Sequence, residues 1–223
     1  MSYFSNICNI SKLRKILIFL AWVFILGNTK ASLAQTDTRF WFVAPEVASS
    51  HGDRPIAFRV TSEGQATQVR IYTPASTNIF DTTFNLPANS TTTIPLTHRI
   101  DSIENNPPNQ IHNRGFLIES TELITAYYEV ITGGNNPDIF ALKGRNALGT
   151  SFYLPGQNLM RNVHGHERID IVATEDGTII QIENRATLFR SGGNINPGTV
   201  TTITLNRGQT YSLRTNSQNA NVT

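Results

Sequence analysis

The chain has 223 residues, 18 Lys and Arg against 16 Asp and Glu, a formal charge of +2 and one cysteine. That length bounds it to one large or two ordinary domains. The near balance of charge, with no Lys/Arg cluster, excludes a nucleic-acid footprint, and the lone cysteine excludes a disulfide framework.

Lys12, Arg14 and Lys15 form a positive opening, and no acid precedes Asp37. Ile16 to Leu26 follow as an unbroken apolar run of about eleven residues, short of the roughly twenty that a hydrocarbon core needs. Small residues cluster next at Ala31-Ser32-Leu33-Ala34, which places a signal-peptidase cut before Gln35. Residues 1–34 are therefore expected to be a cleaved signal peptide, with an uncleaved anchor as the alternative, and no later stretch reaches transmembrane length. The cut removes Lys12, Arg14, Lys15, Lys30 and Cys8 but no acid, which leaves a cysteine-free mature part at about −2 with no membrane span. The expected location is secreted or cell-surface.

From Arg39 onward the apolar residues recur every second position. Ile56, Phe58 and Val60 alternate with Ala57, Arg59 and Thr61; Val69 and Ile71 alternate with Arg70 and Tyr72. Phe116 and Ile118, then Ile124, Ala126, Tyr128 and Val130, obey the same rule and predict a hairpin over 115–130. Turn chemistry separates the runs at Ser62-Glu63-Gly64, Pro87-Ala88-Asn89, Gly133 to Pro137, Asp176-Gly177 and Arg207-Gly208. No stretch after residue 34 has helical periodicity, so the expected class is all-β, of sandwich or barrel type.

The chain also echoes itself. His51-Gly52-Asp53-Arg54-Pro55-Ile56 through Gly64 aligns without gaps on His164-Gly165-His166-Glu167-Arg168-Ile169 through Gly177, and Leu86 to Leu96 echoes the Thr201 to Leu213 region more weakly. This reads as tandem sandwich-like units of about 110 residues. The expected division is a first unit over 38–132, a connector over 133–149 and a second unit over 150–223 that lacks its last hairpin.

Candidate chemistry is sparse. His164, His166 and Glu167 have the spacing of zinc ligands, but the aligned His51-Gly52-Asp53-Arg54 makes them a variable turn, and no metal site is expected. A peripheral calcium site over Asn135, Asn136 and Asp138 stays open, although the EF-hand spacing is absent. There is no Gly-x-Ser-x-Gly elbow and no cysteine in the mature part, and Glu119, Glu122 and Glu129 read as exposed strand carboxylates; neither catalysis nor a cofactor is expected. Lys143-Gly144-Arg145-Asn146 reads as a solvated turn whose Lys143 and Arg145 are weak candidates for an anionic group. Alternation sends Tyr128 inward and Tyr127 outward, which makes Tyr127 the exposed aromatic for a sugar or protein. The binding candidates are thus Tyr127, Asn135, Asn136, Asp138, Lys143 and Arg145.

Phe40-Trp41-Phe42-Val43-Ala44-Pro45-Glu46, the block GFLIESTELITAYYEV from Gly115, NPDIFALKGRNALGTSFYLP from Asn136, IVATEDG from Ile171 and TLNRGQTYSLR from Thr204 resemble the IgGFc-binding protein N-terminal domain family. The likeness runs from about Thr38 onward and is nearer the Bacteroidota members, found in large exported proteins with gliding-motility or type IX secretion sorting domains. The resemblance implies an extracellular binding or adhesion module with a glycan or protein partner. It carries no residue-level motif and so assigns no site. A structural spacer is the second reading, and a carbohydrate-active enzyme the third.

Overall fold

Side-chain alternation builds the first sheet. In β1 (Thr36–Val43) Phe40 and Phe42 turn to the core while Arg39 and Trp41 turn away from it. β2 (Ile56–Ser62), β3 (Thr67–Tyr72), β4 (Asp81–Leu86) and β5 (Thr91–Pro95) follow the same rule, with Ile56, Phe58, Val60, Val69 and Ile71 all fully buried. A short helix, α1 (Ile100–Ile103), buries Ile100 and Ile103 before the chain enters β6 (Gly115–Val130). β7 (Asp138–Ala141) then closes the sheet. The structure, a computed structural model, describes residues 35–47, 54–131, 137–154, 167–185, 187–190 and 193–215. Among these no helix is long and apolar enough to cross a membrane.

Residues 115–130 form one strand of 16 residues where the sequence predicts a hairpin. Its first part pairs with β1 on one edge and β3 on the other; its second part pairs with β2 and β7. The sheet order is β4-β3-β6-β2-β5, with β1 and β7 also on β6. The polar run Glu119 to Glu122 that reads as a turn is a bulge. Opposite it, β1 steps from Asp37 (paired with Ile124) to Arg39 (paired with Glu119). The bulge's backbone is satisfied by hydroxyls: Glu122 N donates to Thr67 Oγ1 at 3.0 Å and Gln68 N to Thr121 Oγ1 at 3.1 Å. β6 can therefore serve both parts of the sheet with the Glu122 amide of the bulge satisfied. Its inward residues Phe116, Ile118, Ile124, Ala126 and Tyr128 line one continuous core. There Phe58 meets Phe116 edge-on at 5.1 Å between ring centroids, and Phe42 meets Tyr128 at 4.7 Å.

The second half has its own small core. β8 (Arg168–Val172) pairs with β11 (Thr210–Arg214), and β9 (Thr178–Glu183) pairs with β10 (Val200–Leu205). Ile169, Ile182, Leu188, Leu205 and Leu213 fill the space they enclose. The pairing plan is that of the first half, where β2 pairs with β5 and β3 with β4. The turns match as well. Asn89 (φ 52°) after β4 and Gly208 (φ 79°) after β10 each occupy the third position after a buried Leu, Leu86 and Leu205. Ser62 N donates to Ser90 O at 2.9 Å, as Ala173 N does to Gln209 O at 3.0 Å.

The halves are joined within one compact unit over Ala34–Thr223. β7 pairs with Tyr127 to Val130, and the 3-10 turn Gly144–Ala147 packs on β1. The joint is polar. Arg168 donates to Glu46 Oε2 at 2.9 Å, to Asn105 O at 2.8 Å and to Ser212 Oγ at 3.2 Å, while Asn105 Nδ2 donates to Asp170 Oδ1 at 2.8 Å. Beside it His112 and Thr210 exchange backbone bonds of 2.9 and 2.8 Å, and Gly115 N donates to Gly208 O at 3.1 Å.

Gly115 sits at a close contact between the halves: a Cβ there would lie 2.5 Å from Val172 Cγ2 and 2.8 Å from Gly208 O. Gly115→Ala is expected to destabilise by about 1–3 kcal/mol through overpacking. Gly64→Ala, with nothing within 4 Å of its Cβ, is expected to stay within about 0.5 kcal/mol of the parent. Urea unfolding of both variants checks this; equal stabilities would contradict the joint.

Candidate functional site

The sequence candidates separate in the structure. Asn135 and Asn136, like His51, His164 and His166, lie outside the described residues. Asp138 opens β7, exposed, with its Oδ1 accepting from Ile139 N at 2.8 Å. Lys143 is exposed ahead of the 3-10 turn. Arg145 is already engaged: its backbone N donates to Asp37 Oδ2 at 2.8 Å and its Nε to both Asp37 oxygens at 3.1 Å. Asp37 is 6 % exposed. Burial pulls its carboxyl upward, but the bonds from Arg145 and Thr38 outweigh this and hold it below the ordinary value. Gly144, at φ 54°, packs so closely on Asp37 that no Cβ fits. Lys143-Gly144-Arg145 is therefore a clasp that fastens the turn to β1, with Lys143 its one cation for which no partner is found among the described residues.

Tyr127 is half-buried, on the side of the sheet away from the core. The register sets Thr93, Arg59, Tyr127 and Ala141 in one row across β5, β2, β6 and β7, all on the side away from the core. The row beside it holds Thr91, Thr61 and Thr125, and the row beyond holds Pro95, Ala57, Glu129 and Ile139. Arg59 Nε donates to Glu129 Oε1 at 2.6 Å, reaching from its own row into that of Ala57, which is 2 % exposed. Thr61 and Thr91 share a hydroxyl bond of 2.8 Å. Tyr127 is thus flanked by polar groups whose positions are fixed in advance. Sequence reasoning found Tyr127 but missed Arg59 and Glu129 as its neighbours; the strand alternation already places both on the outer face.

The other outer face, over β1, β6, β3 and β4, is more closed. Arg39, Glu119, Arg70 and Thr83 form one row; Trp41, Leu117, Tyr72 and Asp81 form the next. Arg39 donates to Glu119 Oε1 at 2.7 Å, Tyr72 Oη to Glu119 Oε2 at 2.9 Å, and Arg70 to Asp81 at 2.7 Å. Arg207, from the β10–β11 turn, lies over the Trp41 ring at 5.4 Å from its centroid. The cations here are spent on neighbours, and the half-buried Trp41 ring lies under Arg207.

A third cluster is buried. Glu104, 7 % exposed, accepts from Val47 N at 3.1 Å, and Arg114 donates to its backbone oxygen and to Asn106 O. Burial pushes the Glu104 carboxyl up to about 7, against the Val47 bond and with help from the Glu46 charge. Burial also raises Asp170, opposed by Arg168, and raises the Tyr128 hydroxyl, which has no hydrogen-bond partner among the described residues. Glu46 is held by Arg168 and Glu104 by backbone, so the pair serves the joint between the halves. No group of three or more His, Cys, Asp or Glu converges as a metal site among the described residues.

The family model described as IgGFc binding protein matches residues 139–223. That span begins in β7 and runs through β11, narrower than the resemblance from about Thr38. No curated protein and no solved structure gives a significant match.

Glu104 gives the joint a pH signature. Its folded value lies above its unfolded one, so the stability it contributes is complete below about pH 4.5 and is lost as pH rises through about 7. Across that window the parent is expected to lose roughly 3 kcal/mol more than Glu104→Gln, which keeps the Val47 bond without a charge. Urea unfolding at fixed pH values checks this, and parallel pH slopes for the two proteins would contradict it.

Proposed function

We propose that this chain is a non-enzymatic binding module of an exported surface or matrix protein, and that it takes a glycan or protein partner on the Tyr127 face. The observation that carries this reading is the row Thr93, Arg59, Tyr127 and Ala141 on the side of the sheet away from the core, where Tyr127 is half-buried beside Arg59. An aromatic side chain beside a fixed Arg59–Glu129 pair and a line of threonine hydroxyls suits a ligand that is apolar on one face and rich in hydroxyls at its edge. Because the 2.6 Å ion pair already orders Arg59, binding costs less side-chain entropy there. The match of residues 139–223 to a family of binding proteins supports the same class.

In this reading residues 1–34 direct export and are cut before Gln35, and the setting is a large surface protein of the Bacteroidota type connected with gliding motility or type IX secretion. A non-catalytic spacer is the second reading, favoured by the pairing plan that recurs in both halves.

A glycan and mucin array probed with the purified chain and with Tyr127→Ala separates these readings. The parent is expected to bind at least one class of spot, and Tyr127→Ala to weaken that binding about tenfold or more with unchanged thermal stability. Silence of the parent across glycans, mucins and immunoglobulin would favour the spacer. Full binding by Tyr127→Ala would move the site off this face.

A further inference from the structure

The residue that follows the expected cut is chemically distinctive. Gln35 succeeds Ala34 in the sequence, and the compact unit that holds both halves spans Ala34–Thr223. A cut between the two takes a single residue from that unit and turns the Gln35 nitrogen into a free α-amine. Glutamine has the side-chain length for such a terminus to close on itself. Its α-nitrogen, Cα, Cβ, Cγ and Cδ complete an unstrained five-membered ring, whereas asparagine would need a strained four-membered one.

The surroundings leave Gln35 room to close. It is exposed and precedes β1, whose ladder begins one residue later with Thr36 opposite Thr125. The anchor lies just beyond. The buried Asp37 carboxylate accepts from Thr38 N at 2.7 Å, from Arg145 N at 2.8 Å and from Arg145 Nε at 3.1 Å. Asp37 is the acid nearest to Gln35 in the sequence, and Arg145 already neutralises it. An ammonium at residue 35 would therefore add a like charge close to Arg145.

We propose that Gln35 is a modification site, at which the terminus left by the cut closes to a pyroglutamyl lactam. This rests on the cut before Gln35 proposed above and is independent of the Tyr127 face. The α-nitrogen attacks Cδ of the side-chain amide. The N–Cδ bond forms, the Cδ–Nε2 bond breaks, and a proton from the α-nitrogen leaves with Nε2 as ammonia. The balance needs no oxidant and no second substrate, and holding amine and amide in one residue supplies the orientation. Closure deletes the terminal positive charge and removes the free amine that aminopeptidases bind. Trimming concentrates at exposed termini. Loss of Gln35, Thr36 and Asp37 would release Arg145 and the Gly144–Ala147 turn from β1, so the lactam protects the clasp.

The test expresses the full chain, residues 1–34 included, in a host that exports it. Free amines of the intact protein are methylated before digestion, so that ring closure during handling is not counted. The tryptic peptide ending at Arg39 is then read by mass spectrometry. It is expected to begin at Gln35, to carry no methyl label at its terminus, and to be lighter than its sequence mass by one ammonia. The Gln35→Asn variant is expected to be cut at the same bond, to carry the label, and to be shortened by a broad-specificity aminopeptidase that leaves the parent whole. A labelled parent terminus at Gln35 would overturn the proposal and leave the cut standing. A terminus at any other residue would overturn both. Shortening of the parent at the rate of the variant would overturn the proposal as well.

Discussion

A strand bonded along both edges cannot shift without breaking every ladder it serves, and β6 serves four: β1, β2, β3 and β7. The rest of the first half follows from that constraint. The bend at Ser120 to Leu123 lets one strand enter two parts of the sheet, and the Thr67 and Thr121 hydroxyls remove the penalty that unpaired amides would otherwise carry there. Because Phe116, Ile118, Ile124, Ala126 and Tyr128 all point inward on one strand, the two parts share a single core. The outer faces inherit their rows from the same register, which is why Tyr127 stands beside Arg59 and Glu119 beside Arg39.

The second half is fastened to this frame by polar groups as much as by packing. Arg168 is 13 % exposed and bonds to Glu46, Asn105, Asp170 and Ser212, so its charge is matched by two carboxylates inside the joint. Removing one member of such a set costs more than the set contributes, because the remaining charges stay buried. Glu104 lies in the same region with its charge disfavoured, which couples the joint to pH. The face over β5, β2, β6 and β7 that we propose for binding involves none of these groups. The proposed ligand contact and the attachment of the second half thus fall on different residues.

Much of this was legible in the sequence. Period-two alternation located β2, β3 and both parts of β6 with the direction of their core faces, and it separated inward Tyr128 from outward Tyr127. The continuity of 115–130 was not legible, because Glu119-Ser120-Thr121-Glu122 has turn chemistry and the Thr67 hydroxyl that stabilises a bulge lies on another strand. The role of Lys143-Gly144-Arg145 was hidden for a similar reason: its partner Asp37 is more than a hundred residues away in the chain. The joint was least visible of all. Glu46, Glu104, Asn105, Arg168 and Asp170 come from three separate stretches, none with a motif, and only the fold assembles them.

The central claim is that β6 is one structural element holding both parts of the first sheet. Native-state hydrogen exchange in low denaturant tests it most directly. The amides of Phe116 to Glu119 and of Thr125 to Glu129 are expected to open together, with one free energy equal to that of global unfolding. Separate openings on either side of Thr121, differing by more than about tenfold in protection, would contradict the account and restore the hairpin.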